Sequence, residues 1–111
     1  METLRIVVVD DEAAQRDLLT GFLQKQGHTV LACPSGSEAL ATVRDQQVDL
    51  VVSDCRMPGM SGPELLHHLR AINPELPLIL MTAYGTIETA VQAMRDGAAD
   101  YLTKPLDLEE L

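Results

Sequence analysis

The chain alternates between two hydrophobic rhythms. "RIVVV", Arg5 to Val9, is a short β-branched run that reads as a strand. "DDEAAQRDLLTGFLQKQG" follows, with Ala14, Leu18 and Phe22 at helical spacing and Leu19 and Leu23 beside them. Gly27 sits where a helix-ending C′ residue belongs. "HTVLAC" predicts a second strand, and Ser35 is placed to cap a second helix, "SGSEALATVRDQ". "VDLVVS" is a third strand, followed by a Pro- and Gly-rich loop from Cys55 to Gly62. "PELLHHLRAI" predicts a third helix, with Pro63 at its start and Leu65, Leu66, Leu69 and Ile72 as its stripe. "LPLILMT" is a fourth strand. "TIETAVQAMRDG" is a fourth helix, with Ile87, Val91 and Met94 on one face and Gly97 as its stop. "ADYLTK" is a fifth strand, and the sequence runs on to "PLDLEEL".

Strand and helix therefore alternate four times before the last strand. Apolar strands separated by helices imply an α/β fold with a parallel sheet covered on both faces. The 111 residues suit one domain, 1–111. Apolar residues make up 46% and charged residues 23%, as in an ordinary globular protein. No apolar stretch approaches the roughly 20 residues of a membrane-spanning helix, and no basic-then-apolar leader opens the sequence. A cytoplasmic protein without a membrane partner is expected. The formal net charge is −9, which argues against nucleic-acid binding by this segment, because phosphate contacts need Lys and Arg. The same charge allows a metal cation or a basic partner surface, or serves solubility alone.

In open α/β sheets, sites form beyond the carboxyl ends of the strands. There the sequence places Asp10 and Asp11, then Asp54, then Thr82, then Lys104. Only the second strand ends quietly, at Cys33 and Pro34. Carboxylates brought this close repel unless a cation balances them. Hard oxygen ligands of high charge suit Mg²⁺. The plainer reading of Asp11 and Glu12 is that they favour a helix N-terminus, which leaves Asp10 and Asp54 unexplained. A hydroxyl and an ammonium facing such a site suit a phosphoryl group. Lys104 could equally form a simple salt bridge to Asp54, and the Thr82 hydroxyl could bond its own backbone. His67 and His68 are adjacent and read as exposed helix residues rather than zinc ligands. No GxGxxG, GxxxxGK[ST] or GxSxG motif is present.

"VVVDDE", "VVSDCRMPGMSG", "LMTAYG" and "DYLTKP" resemble, in order, the motifs of response-regulator receiver domains of two-component signalling. The resemblance implies a flavodoxin-like, doubly wound, five-stranded parallel sheet of order 2-1-3-4-5. In that order one strand separates Cys33 from Cys55, which argues against a disulfide. The resemblance further implies that Asp54 accepts phosphate from a sensor histidine kinase. It makes Asp11 a direct Mg²⁺ ligand, Asp10 an acid acting through water, and Arg56 the donor of a backbone carbonyl to the metal. It casts Thr82 and Lys104 as phosphoryl-sensing groups, Tyr101 as the switch aromatic and Pro105 as a cis-proline. Bulky Arg56 and Tyr84 would border the path of the hydrolytic water and prolong the phosphorylated state.

The tract from Met81 to Leu111 is similar to receivers of nitrogen-regulation-class, sigma-54-dependent activators. That likeness implies a transcriptional output domain. "DLEEL" carries a capping-box pattern at Asp107 and Glu110, so a fifth helix would open there and stop short. The apolar surface bared in that case would favour a homodimer. Such a module catalyses only its own phosphorylation and dephosphorylation. The rival expectation is a Mg²⁺-dependent phosphatase with an aspartyl nucleophile, whose usual DxD motif and cap domain are not seen.

Overall fold

A computed structural model describes residues 3–83 and 85–104. The expectations placed on Tyr84, on Pro105 and on "DLEEL" fall outside those residues. The strands are β1 (Arg5–Val9), β2 (Thr29–Cys33), β3 (Leu50–Asp54), β4 (Leu78–Thr82) and β5 (Asp100–Thr103). They alternate with α1 (Ala13–Lys25), α2 (Gly36–Asp45), α3 (Gly62–Ile72) and α4 (Ile87–Arg95). All strand pairs are parallel, in the order β2-β1-β3-β4-β5. This is the order expected, and it sets β1 between Cys33 on β2 and Cys55 just past β3; both thiols are free.

Side chains of a strand alternate between faces, and the core divides accordingly. Val7, Val9, Val51, Leu78 and Leu80 point to one face, where Leu40, Leu65, Leu66, Leu69 and Ala93 meet them. Ile6, Val8, Val52 and Met81 point to the other, against Leu19 and Leu23 of α1. Helices on both faces bury the inner strands β1, β3 and β4, while the edge strands β2 and β5 stay partly exposed.

Local signals set the helix boundaries. The Ser35 hydroxyl accepts from the Glu38 N–H. Ser61 and Glu64 form a capping box at α3, and Thr86 and Thr89 form another at α4. Gly27 and Gly97 follow the C-caps of α1 and α4 with φ of 96° and 102°, a left-handed conformation that suits glycine.

Two apolar stripes differ from expectation. In α1 the buried residues are Leu19 and Leu23, while Leu18 is 67% exposed. In α4, Ile87 is 84% exposed, and Val91 and Met94 are exposed as well; the buried residue is Ala93. Periodicity identifies an apolar face but not its direction. A helix laid beside an edge strand approaches closest through small side chains, so alanine wins the inner position. Ile72, at the end of α3, is also exposed.

Candidate phosphoacceptor site

Parallel strands of nearly equal length end together, and their last residues converge on one rim. Asp10 follows β1 directly, and its N–H donates to the Cys33 carbonyl at 3.2 Å. Its side chain is buried at 2% exposure, although it is charged. Burial of a carboxylate is costly without partners, and Asp10 has them. One oxygen accepts from the Glu12 N–H at 3.0 Å; the other accepts from Lys104 Nζ at 3.3 Å. The Glu12 side chain makes no cap bond to α1. Asp10 therefore does the local work that the helix-terminus reading gave to Asp11 and Glu12.

Asp54 ends β3 and is also buried. Its Oδ2 lies 3.2 Å from Lys104 Nζ. One oxygen each of Asp10, Asp11 and Asp54 lie within 4.8 Å of one another, with Asp10 and Asp54 buried and Asp11 exposed. Three hard, anionic oxygens, one of them open to solvent, fit a Mg²⁺ ion that keeps part of its water shell.

Lys104 reaches the cluster because β5 lies beside β4, and its N–H donates to the Thr82 carbonyl at 2.8 Å. Burial pulls the Lys104 pKa down, but the charges of Asp10 and Asp54 and hydrogen bonds to both outweigh it, so the net shift is upward. The ammonium stays charged at neutral pH. The salt bridge to Asp54 weighed from sequence is present, and Asp10 shares it.

Thr82 ends β4 and is buried. It lines a groove of about 280 Å³ together with Cys55, Leu66, Thr89, Ala93 and Tyr101. Tyr101 is half-buried on β5, and its hydroxyl lies 2.9 Å from the Thr89 Oγ1. Arg56 lies in the loop two residues past Asp54, exposed and on the same groove. The neighbouring Cys55 thiol is pushed up to about 11, chiefly by burial and then by the Asp54 charge. At neutral pH it is no nucleophile. His67 and His68 are exposed on α3, away from the strand-end cluster in sequence, with rings 5.9 Å apart.

Sequence reasoning missed three contributors. Gln15, in the first turn of α1, accepts from Lys104 Nζ at 2.5 Å. Thr89 belongs to the α4 capping box and also meets Tyr101. Gly62, at the start of α3, lies over Asp54. A Cβ there would come within 2.4 Å of the Asp54 carbonyl oxygen. The spacing of Gly62 from Asp54 was visible in the sequence, but the close approach was not.

An acidic cluster bridged by a lysine at the carboxyl rim of a 2-1-3-4-5 sheet is the arrangement of a receiver. The chain belongs to the response regulator receiver domain family, which it matches over residues 6–111. It is thus a signalling domain of two-component systems rather than a classical enzyme. It is 44% identical to the transcriptional regulatory protein ZraR of Escherichia coli K12 over 110 residues, which are 99% of this chain and 25% of that protein. It is also 44% identical to the response regulator protein FleR of Pseudomonas aeruginosa over 107 residues, 96% of this chain and 23% of that one. The chain spans about a quarter of these relatives. Among solved structures, the receiver domain of NtrX from Brucella abortus aligns with a TM-score of 0.88 at 38% identity, covering 95% of this chain and 89% of that one. The Vibrio cholerae chemotaxis protein CheY4 aligns with a TM-score of 0.91 at 28% identity, covering 97% and 92%. Among the described residues, no helix is long and apolar enough to cross a membrane.

Proposed function

We propose that this domain is a phosphoacceptor switch in which Asp54 takes a phosphoryl group from a sensor histidine kinase. The observation that carries the reading is the Lys104 ammonium shared between Asp54 and Asp10 at the edge of the three-carboxylate cluster. Asp54 supplies the nucleophilic oxygen. Asp11 and Asp54, with the Arg56 backbone carbonyl, would hold Mg²⁺ directly, and Asp10 would reach it through water. When bound there, Mg²⁺ supplies positive charge to the transferring phosphoryl oxygens. Lys104 stays charged and pairs with a phosphoryl oxygen as its bond to the Asp54 carboxylate weakens. Thr82, one strand away, offers a hydroxyl to the same group. Its movement inward vacates part of the groove toward which the Tyr101 ring can turn, so a local charge event biases a two-state element.

The curated relatives carry names of transcriptional regulators, and NtrX supports the likeness to nitrogen-regulation-class activators. We therefore read residues 1–111 as the receiver of a cytoplasmic, sigma-54-dependent transcription regulator, with output through a separate domain. Homodimerisation belongs to the same proposal.

Incubation with acetyl phosphate and Mg²⁺, followed by intact mass, tests the reading. One phosphate per chain, formed only with Mg²⁺ and then lost slowly, is expected. Sustained turnover of a phosphate ester would instead favour the aspartyl phosphatase.

A further inference from the structure

The Lys104 ammonium meets three acceptors. They are Asp54 Oδ2 at 3.2 Å, Asp10 Oδ2 at 3.3 Å and Gln15 Oε1 at 2.5 Å. An ammonium carries three N–H donors, so each donor has one partner. Two of the acceptors belong to the carboxylate cluster. The third comes from the first turn of α1, is uncharged, and contributes nothing to that cluster.

We infer that Gln15 is a positioning residue that keeps the Lys104 ammonium at the rim while its two carboxylate partners are drawn to metal and phosphoryl group. The inference rests on the reading of Asp54 as phosphoacceptor. Both events proposed for the site weaken the carboxylates as partners of Lys104. A divalent cation held by the cluster competes for the charge of Asp10 and Asp54. In phosphoryl transfer from acetyl phosphate, an Asp54 oxygen forms a bond to phosphorus. The donor's P–O bond breaks and its electron pair leaves with acetate. Asp54 then no longer carries a carboxylate charge. Before a phosphoryl oxygen is there to pair with it, a lysine whose two carboxylate partners have turned to the cation regains its rotamer freedom and drifts toward water. The Gln15 amide oxygen is a poor competitor for a hard cation beside three carboxylates. Its bond to an ammonium is nonetheless charge-assisted. It remains in place when the other two acceptors are occupied.

Gln15 is exposed, so its side chain can be changed without opening the core. Gln15→Met keeps length and helix propensity but removes the acceptor. Gln15→Glu keeps an acceptor oxygen. The order of the Lys104 Cε methylene, from NMR relaxation, reports on the ammonium directly, in the metal-free protein and with saturating Mg²⁺. Wild type and Gln15→Glu are expected to hold Lys104 ordered in both states. Gln15→Met should lose that order when Mg²⁺ is added, with its melting temperature unchanged. Its phosphorylation by acetyl phosphate should slow by roughly three- to ten-fold, as expected for one charge-assisted bond. Unchanged Lys104 order in Gln15→Met with Mg²⁺, or an unchanged phosphorylation rate, overturns the inference while a phosphorylated wild type leaves the site reading standing. A wild type that neither binds Mg²⁺ nor takes phosphate overturns both.

Discussion

Gly62→Ala and Gly21→Ala make the same chemical change at two helix positions, and they are expected to move stability in opposite directions. A Cβ at Gly62 would lie 2.4 Å from the Asp54 carbonyl oxygen, 2.9 Å from Cys55 Cα and 2.9 Å from Leu80 Cδ2. Carbon–oxygen contacts settle near 3.3–3.6 Å, so the start of α3 must retreat by about 1 Å. Two of the three obstacles are backbone atoms, which yield least. The Asp54 carbonyl is also held by the Ser53 hydroxyl, which donates to it at 3.0 Å. Overpacking of this kind costs about 1–3 kcal/mol. The better helix propensity of alanine returns at most about 1 kcal/mol, and less in a first turn. A net loss of about 1–2 kcal/mol follows, or a Tm lowered by roughly 4–12 °C. At Gly21, inside α1, nothing lies within 4 Å of the added Cβ. There the substitution should gain about 0.5–1 kcal/mol. Urea unfolding and thermal melts of the two variants beside wild type measure both. Because the retreat of α3 drags on the residue that carries the nucleophile, Gly62→Ala should also be phosphorylated more slowly. A Gly62→Ala variant as stable as wild type, or both variants shifting together, would refute the close approach.

Lys104→Met should bind Mg²⁺ more tightly than wild type, because the ammonium and the metal draw on the same Asp10 and Asp54 oxygens; weaker binding on titration would show that Lys104 organises the acids rather than competes for them. Tyr101→Phe removes the hydroxyl that meets Thr89 at 2.9 Å. This should cost no more than about 1 kcal/mol in urea unfolding, since the bond is exposed, while changing the ring's NMR environment. A loss several times larger would mean that the tyrosine is part of the core. Cys33 is buried, and that burial, more than the opposing Thr42 hydrogen bond, raises its pKa. The folded state therefore favours the neutral thiol. Its contribution to stability is complete below the unfolded thiol pKa near 9.0 and declines as pH rises above it. Native protein at pH 8 should resist iodoacetamide at Cys33 until it is unfolded; rapid native labelling would contradict the burial.

The fold was legible because its strands are nearly pure apolar runs with stops between them. "RIVVV" and "LILMT" need no context, and Gly27, Ser35, Pro63 and Gly97 mark helix ends by local chemistry. The rim residues Asp10, Asp54, Thr82 and Lys104 were legible for a related reason: a parallel sheet brings all its strand ends to one side. The direction of amphipathic faces was not legible. Leu18 and Ile87 carry strong helical periodicity and still lie exposed, because periodicity does not say which face a neighbour covers. Gln15 and Thr89 were missed because each works through one side-chain contact to a residue far along the chain. No spacing rule encodes such a contact.

Asp54 as the acceptor of the phosphoryl group is the central claim. It is tested most directly by treating the protein with acetyl phosphate and Mg²⁺, reducing the acyl phosphate with borohydride, and mapping the resulting homoserine by peptide mass spectrometry. The account predicts homoserine at position 54 alone, absent without Mg²⁺ and absent from Asp54→Asn. Homoserine at Asp10 or Asp11 instead, or an equal yield of phosphoprotein from Asp54→Asn, would contradict it.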